Sequence, residues 1–244
     1  MGPELSSPYG GEQSTSKTGR PECRPFGDPA TARVFVIGHD PRLQKSDAQA
    51  ATVFFLDYLE AGRPTKRSEA AKYDLGSATV QYIEHLTGGK VPVSEMYFTN
   101  LCNEFLARPD KGGTVLIPDE VADRGIAAIE KALMRGEPQV IVPMSLQVSY
   151  HLARSGFVSM TEERREAFLS KAAPKPAYAE RGAYVQSRSR TFLEVCGRQF
   201  LHGSIAVVPV VHVKAWPLRG PFKAYESAMQ AAAAKIQRAL PPSG

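Results

Sequence analysis

The sequence is poor in the side chains from which disulfide frameworks and metal centres are built. Its 244 residues include three cysteines and five histidines. Cys23, Cys102 and Cys196 are far apart, form no Cys-x-x-Cys pair and show no metal-ligand spacing with the histidines. Counting alone leaves a three-thiolate metal site open, but we expect a reducing compartment, buried unreactive thiols and no metal.

Long apolar stretches are also missing. No segment approaches the roughly 18 consecutive apolar residues of a membrane span. The first thirty residues are rich in Gly, Ser, Pro and charge and contain no apolar core typical of a signal peptide. We expect residues 1–30 to be a flexible leader, and the protein to be cytoplasmic with no membrane partner.

What the sequence does contain is enough apolar material for one core and a modest excess of positive charge. Hydrophobic residues make up 43% of the chain, which suits a single domain over residues 31–240. Thirty Lys and Arg against 25 Asp and Glu give a net charge of +5, which suits a polyanionic partner. Residues 155–202 are basic and poorly periodic, and we interpret them as an insertion that adds contacts to that partner.

Apolar runs alternate with segments of helical periodicity along the chain. We predict strands over residues 32–37, 93–101, 138–143 and 205–211, and helices over residues 47–59, 68–85, 118–135, 146–154 and 225–240. Because parallel neighbours need a crossover between them, this order predicts an α/β protein. We expect three α/β/α layers around a central, mainly parallel sheet of about four strands.

Polar residues suited to chemistry follow three of the predicted strands. They are Asp40, Asn100 and His212, and sheets of this kind place their sites at the carboxyl ends of strands. Asp40 precedes Pro41, so its carboxylate would sit on a stiff loop and hold a water, or else cap a turn. Asn100 would read the edge of a nucleobase, or else satisfy backbone groups.

The segment after His212 mixes cations with apolar residues, as nucleic-acid contacts do. Lys214 and Arg219 would touch phosphates, while Trp216 or Leu218 would enter the base stack; core packing and solvated loops are the alternatives. Farther upstream, Phe54 or Phe55 would stack on an extruded base, although adjacent phenylalanines also suit a core.

Taken together, these motifs resemble those of uracil-DNA glycosylases. Gly38-His39-Asp40-Pro41 is similar to the family's Gly-Gln-Asp-Pro loop, residues 97–100 resemble its strand ending in a uracil-reading asparagine, and residues 212–220 resemble its His-Pro-Ser-Pro-Leu…Arg-Gly segment. The resemblance runs from about residue 32 to residue 236, apart from the basic segment. It implies a glycosylase-like fold and a DNA-repair enzyme that removes uracil, acting as a monomer in a bacterial-type cytosol at the nucleoid.

The resemblance also implies a role for each matching residue. Asp40 would activate water, and His212 would stabilise charge on the departing uracil. The substrate-binding set would be Gly38, His39, Pro41, Arg42, Phe54 or Phe55, and Asn100. Trp216 would fill the gap left by the base, and DNA would also contact Lys214, Leu218 and Arg219.

Departures from the family pattern mark an atypical branch. His39 replaces a glutamine, Arg42 replaces the tyrosine that excludes thymine in the best-known branch, and Val213-Lys214 replaces Pro-Ser. Some branches hold an iron–sulfur cluster on four cysteines, a set that three cysteines do not supply. We therefore expect no cofactor.

The sequence leaves three rival functions open. The first is removal of another deaminated base, such as hypoxanthine or xanthine, with the same skeleton. The second is binding to DNA or to abasic sites without cleavage. The most distant alternative is a small-molecule hydrolase that uses Ser145 or Asp40 with His151 or His212, although the sequence has no Gly-x-Ser-x-Gly elbow.

Overall fold

Uninterrupted apolar runs of the sequence form the central strands of one sheet. The computed structural model describes residues 14–15, 21–39, 51–60, 74–106, 115–174 and 189–241. Its strands are β1 (Ser14–Thr15), β2 (Pro21–Glu22), β3 (Val34–Gly38), β4 (Met96–Asn100), β5 (Val140–Pro143), β6 (Phe200–His202) and β7 (Ile205–Val207). All residues of β3, β4 and β5 are buried, as expected of strands covered on both faces.

The main sheet has five strands in the order β4-β3-β5-β7-β6. β3 pairs in parallel with β4 on one side and with β5 on the other, β5 pairs in parallel with β7, and β6 is an antiparallel edge strand. The strand order therefore reverses between β3 and β5, the point at which open α/β sheets leave a crevice at their carboxyl ends. A separate two-stranded ribbon joins β1 and β2.

Helices flank the sheet in two groups, completing the three-layer α/β/α fold. They are α1 (Asp57–Glu60), α2 (Asp74–Thr87), α3 (Asp119–Leu133), α4 (Leu146–Arg154), α5 (Glu162–Ala172) and α6 (Glu226–Ala239). α2 packs against α6, while α4 packs against both α3 and α5. The fold class is as the sequence predicts, with one strand more than expected. None of the helices in the described ranges has the length and apolar character to span a bilayer.

The predicted helix over residues 47–59 is wrong for residues 51–56 and right for residues 57–59, where α1 begins. Residues 53–55 form a single 3-10 turn, and Phe54 and Phe55 have left-handed backbones with φ of 55° and 61°. Just before them, the chain pairs with the segment around Arg24, whose N–H donates to Ala51 and whose carbonyl accepts from Val53. Helical spacing of apolar residues is therefore produced here by a bend packed on the core.

The predicted strand over residues 205–211 ends early, at Val207. Pro209 has no N–H, so the pairing with β6 stops. On the other side the chain still runs beside β5, because the N–H groups of Val208 and Val210 donate to Ile141 and Pro143 at 2.9 Å each. This extension carries the chain to His212 at the carboxyl edge of the sheet.

Two expectations about irregular segments also need correction. Within residues 155–202, α5 and β6 are regular, and Phe168 and Phe200 are buried in the core, so the described parts belong to the domain itself. In the predicted leader, Cys23 is buried and Phe26 exchanges backbone hydrogen bonds with Phe98. Residues 21–30 therefore pack on the sheet; residues 1–13 and 16–20 lie outside the described residues.

All three cysteine side chains are buried and none forms a disulfide, as the sequence predicts. Burial raises the pKa of the Cys196 thiol to about 12 and raises that of Cys23 far above its usual range, with Asp57 adding to the effect on Cys23. Because the thiolate is the reactive form, neither side chain is a nucleophile at neutral pH.

Candidate active site

The ends of β3 and β4 bring two predicted site residues side by side. Gly38 is the register partner of Asn100. Beyond this pair the two chains stay together, because the N–H of Leu101 donates to the Gly38 carbonyl at 2.9 Å and that of Cys102 donates to the His39 carbonyl at 3.0 Å. The start of the loop after β3 is thus fixed to β4.

Gly38 is a glycine for a steric reason. A β-carbon at this position would overlap Oδ1 of Asn100 and would lie 2.5 Å from Cζ of Phe54. The Asn100 amide and the Phe54 ring therefore converge in the space that a larger residue 38 would occupy. Of the two candidate phenylalanines, Phe54 has this position, with its ring edge-on to Phe98 at 6.2 Å, while Phe55 is only half-buried.

The side chain of Asn100 is buried but is not used by the fold. It is 5% exposed, and no residue in the described part of the chain hydrogen-bonds to its amide group. The nearby Asn103 is different: its Oδ1 accepts from the Asn100 N–H at 3.1 Å and its Nδ2 donates to Thr99 at 3.5 Å. Asn103 is thus the structural asparagine, and Asn100 offers both a donor and an acceptor.

His39 contacts a residue that the sequence did not point to. Its Nε2 hydrogen-bonds to the side-chain amide of Gln147, in the first turn of α4. Gln147 is 1% exposed. Because His39 follows β3 and α4 follows β5, this contact crosses the point where the strand order reverses. Gln147 lies in a helix of ordinary amphipathic pattern, so nothing in its sequence position distinguishes it.

His212 lies at the same edge of the sheet, on the line of β7. Its Nδ1 accepts from the Lys214 N–H at 3.1 Å, closing the short turn Val213–Ala215. The preceding carbonyl, of Val211, accepts from the buried hydroxyl of Tyr82 at 2.8 Å. β5 lies between β3 and β7, and neighbouring strands of a sheet are about 4.8 Å apart. The lines of β3 and β7 are therefore separated by roughly 10 Å.

The residues after His212 divide into packed and exposed groups. The Trp216 ring lies against Tyr82 and His85 of α2, with centroid distances of 5.4 and 4.6 Å. Leu218 also packs on the core. Lys214 and Arg219 are exposed. The tryptophan predicted to enter the base stack is therefore packed onto α2 in this structure.

Three of the predicted site residues, Asp40, Pro41 and Arg42, lie outside the described residues. The chain is described up to His39 and again from Ala51, whose carbonyl accepts from the Arg24 N–H at 2.9 Å. His39, the last described residue before Asp40, is fixed to Cys102 as above.

The geometry around Ser145 does not support the alternative of a small-molecule hydrolase. Ser145 caps α4, its Oγ accepting from the Val148 N–H at 3.4 Å, and it makes no hydrogen bond to His151 or His212. A nucleophilic serine needs such a base. Its backbone φ of 122° belongs to the sharp turn that leads from β5 into α4.

His151, in α4, is a buried histidine with a shifted pKa. Its side chain is fully buried, and neither ring nitrogen has a hydrogen-bond partner among the described residues. Burial and then the Arg154 guanidinium lower the pKa of His151 to about 4, against the opposing effect of Asp119, whose carboxylate is 3.6 Å from Nδ1. At neutral pH the imidazole is therefore uncharged.

Within the described ranges, no three His, Cys, Asp or Glu side chains are grouped to hold a metal ion. In comparisons with known proteins, no family model matches this chain and no curated protein matches its sequence. Its function has therefore to be argued from the geometry of Gly38, Phe54, Asn100 and His212 and from the motifs in which they lie.

Proposed function

We propose that this protein is a uracil-DNA glycosylase, which extrudes uracil from DNA and hydrolyses its N-glycosidic bond to leave an abasic site for base excision repair. The observation that carries the proposal is the convergence of the Asn100 amide and the Phe54 ring on Gly38. An extruded base requires an amide that can hydrogen-bond to its edge and an aromatic ring on which to stack, and these two groups lie together beside a glycine.

Base selection follows from the chemistry of an amide. Asn100 Oδ1 can accept from the N3–H of uracil while Nδ2 donates to its O4. Cytosine presents an acceptor and an amine at these positions, so the same amide orientation would be mismatched twice. Because the Asn100 side chain is buried and no described residue engages it, leaving it unmatched in a complex would be costly.

The Phe54 ring supplies the stacking surface. Extrusion from a duplex costs a few kcal/mol, and less from a single strand or a mispair. Stacking and phosphate contacts offset that cost. The exposed Lys214 and Arg219 are suited to the phosphates, and Leu218 is the apolar residue beside them. Trp216 would fill the vacated gap only after leaving its contact with α2.

Bond cleavage is assigned to Asp40 and His212. The N-glycosidic bond breaks with oxocarbenium character at the sugar, so the Asp40 carboxylate stabilises the sugar and orients the attacking water. His212 Nδ1 accepts from the Lys214 N–H, so the neutral ring carries its proton on Nε2. That N–H is the donor that stabilises negative charge on the departing uracil. The protein acts as a monomer, with DNA as its partner and no cofactor.

The test is a single-turnover assay of abasic-site formation on single- and double-stranded oligonucleotides that contain uracil. We expect release by the wild type, and a loss of at least about 100-fold in Asp40→Asn and His212→Ala with folding and DNA binding retained. Full activity in the double variant would refute the proposal.

The same assay separates the two nearest alternatives. Because Arg42 stands in place of the thymine-excluding tyrosine, the assay should also include DNA that contains hypoxanthine, xanthine, or thymine mispaired with guanine. Release of one of these instead of uracil would assign another base to the same skeleton. DNA or abasic-site binding with no release from any substrate would identify a non-catalytic relative.

A further inference from the structure

The side chain of Gln147 is held in one orientation by the backbone around it. The Val115 carbonyl can only accept, and the Ile117 N–H can only donate. Satisfying both requires that Nε2 of Gln147 donates to Val115 at 3.0 Å and that Oε1 accepts from Ile117 at 3.2 Å. In this orientation the second N–H of the amide points at Nε2 of His39.

We propose that Gln147 is a positioning residue that fixes the ring of His39 with Nε2 as the acceptor and the proton on Nδ1. If the His39 ring were protonated on Nε2, that N–H would point at an N–H of the Gln147 amide, so two donors would face each other. Rotating the amide to relieve this would set its oxygen against the Val115 carbonyl and its nitrogen against the Ile117 N–H. The buried amide therefore selects one tautomer of His39.

The consequence for base release rests on the proposed function. His39 precedes Asp40 and follows Gly38, and its carbonyl is tied to Cys102. Holding its ring to α4 connects the two sides of the crevice between β3 and β5. This connection fixes His39, the residue directly before the proposed catalytic carboxylate of Asp40, in a chain where His39 stands in place of the glutamine of the Gly-Gln-Asp-Pro loop.

The test is the ¹⁵N chemical shifts of the histidine rings in the full-length protein, with His39 assigned by the signals lost in His39→Gln. In the wild type we expect a protonated Nδ1 and an unprotonated Nε2. Gln147→Glu replaces the donor by an acceptor and should move the proton to Nε2. Gln147→Met, similar in length but without hydrogen bonds, should leave a mixture of tautomers.

A matched control is Gln139→Met. Gln139 precedes β5 and accepts from Nε of Arg33 at 3.2 Å, at the opposite end of the sheet, so the His39 signals should be unchanged. A wild-type ring protonated on Nε2 would overturn the proposal, and that measurement requires no variant to fold. Identical His39 shifts in wild type, Gln147→Glu and Gln147→Met would also overturn it.

Activity gives a second readout. In Gln147→Met the single-turnover rate of uracil release should fall about 10- to 100-fold while half-saturation by DNA stays unchanged, because the residue beside Asp40 loses its anchor while the proposed phosphate contacts, Lys214 and Arg219, are untouched. Altered tautomers with no base release even in the wild type would refute the proposed function and leave this inference standing. Release of uracil by the wild type, together with unaltered His39 tautomers in the variants, would refute this inference and leave the proposed function standing.

Discussion

Gly38 and Asn100 are register partners in parallel strands, and the space where a β-carbon of residue 38 would lie is taken by Oδ1 of Asn100. The glycine thus permits the close approach of the amide, and the Phe54 ring shares the same space. This relationship carries the proposal that the site receives a planar base, and it is the first to test.

Replacing Gly38 by alanine should impair base release more than stability. The new methyl group would displace the Asn100 amide and the Phe54 ring, and we expect the single-turnover rate to fall by about 10-fold or more. The matched control is Gly89→Ala, whose added carbon meets nothing within 4 Å but whose φ of +69° is left-handed. It should cost about 1 kcal/mol of stability and leave the rate unchanged.

The two neighbouring asparagines should respond in opposite ways to truncation. Asn100→Ala removes a side chain that no described residue uses, so the melting temperature should hardly change while uracil release falls about 10- to 100-fold. Asn103→Ala leaves the Asn100 N–H without its partner and should cost about 1 kcal/mol. Thermal melts and single-turnover rates measure both, and a large loss of stability in Asn100→Ala would assign it a structural role.

Stability should depend on pH through His151. In the unfolded chain His151 takes up a proton near its ordinary pKa of 6.5, whereas in the folded protein it is protonated only near pH 4. The contribution of His151 to the free energy of unfolding is therefore fully present above about pH 6.5. It is lost as the pH drops towards 4, and the loss is about 3 kcal/mol. Replacing His151 by leucine should flatten the change in denaturant midpoint between pH 7 and pH 4.5, and parallel profiles of the two proteins would contradict this.

Trp216 and Arg219 should separate stability from DNA binding. Trp216→Ala removes the ring from Tyr82 and His85 and should cost about 2 kcal/mol. Arg219→Ala changes an exposed cation, so the melting temperature should stay the same while DNA binding weakens. The slope of log affinity against log salt concentration should then fall by about one. An unaltered slope would remove Arg219 from the DNA-contacting set.

Several elements were predictable because their signal is local. β3 and β5 are continuous apolar runs bounded by turn residues; β5 lies within its predicted range, and β3 extends one residue beyond its own, to Gly38. α4 has the predicted bounds, residues 146–154, since its periodicity is read from consecutive residues. Strands that alternate with helices also predict the parallel order that puts Gly38, Asn100 and His212 at one edge.

Other features were not predictable because they depend on residues distant in sequence. The left-handed turn at Phe54 and Phe55 follows from pairing with the segment around Arg24 and from packing on Phe98. The edge strand β6 comes from a segment whose composition suggested a surface insertion. Trp216 suits a base stack by its position in the motif but packs on α2, whose Tyr82 and His85 precede it by more than a hundred residues.

The sequence by itself determined the α/β class, the strand ends at which polar residues accumulate and the motif order that suggests a glycosylase. Only the tertiary structure decided that Phe54 and Asn100 meet over Gly38, that Asn103 is the structural asparagine, and that Gln147 holds His39. The physical reason is that periodicity and turn chemistry act over a few residues. Sheet register and side-chain contacts arise when elements far apart in the chain pack together and exclude water.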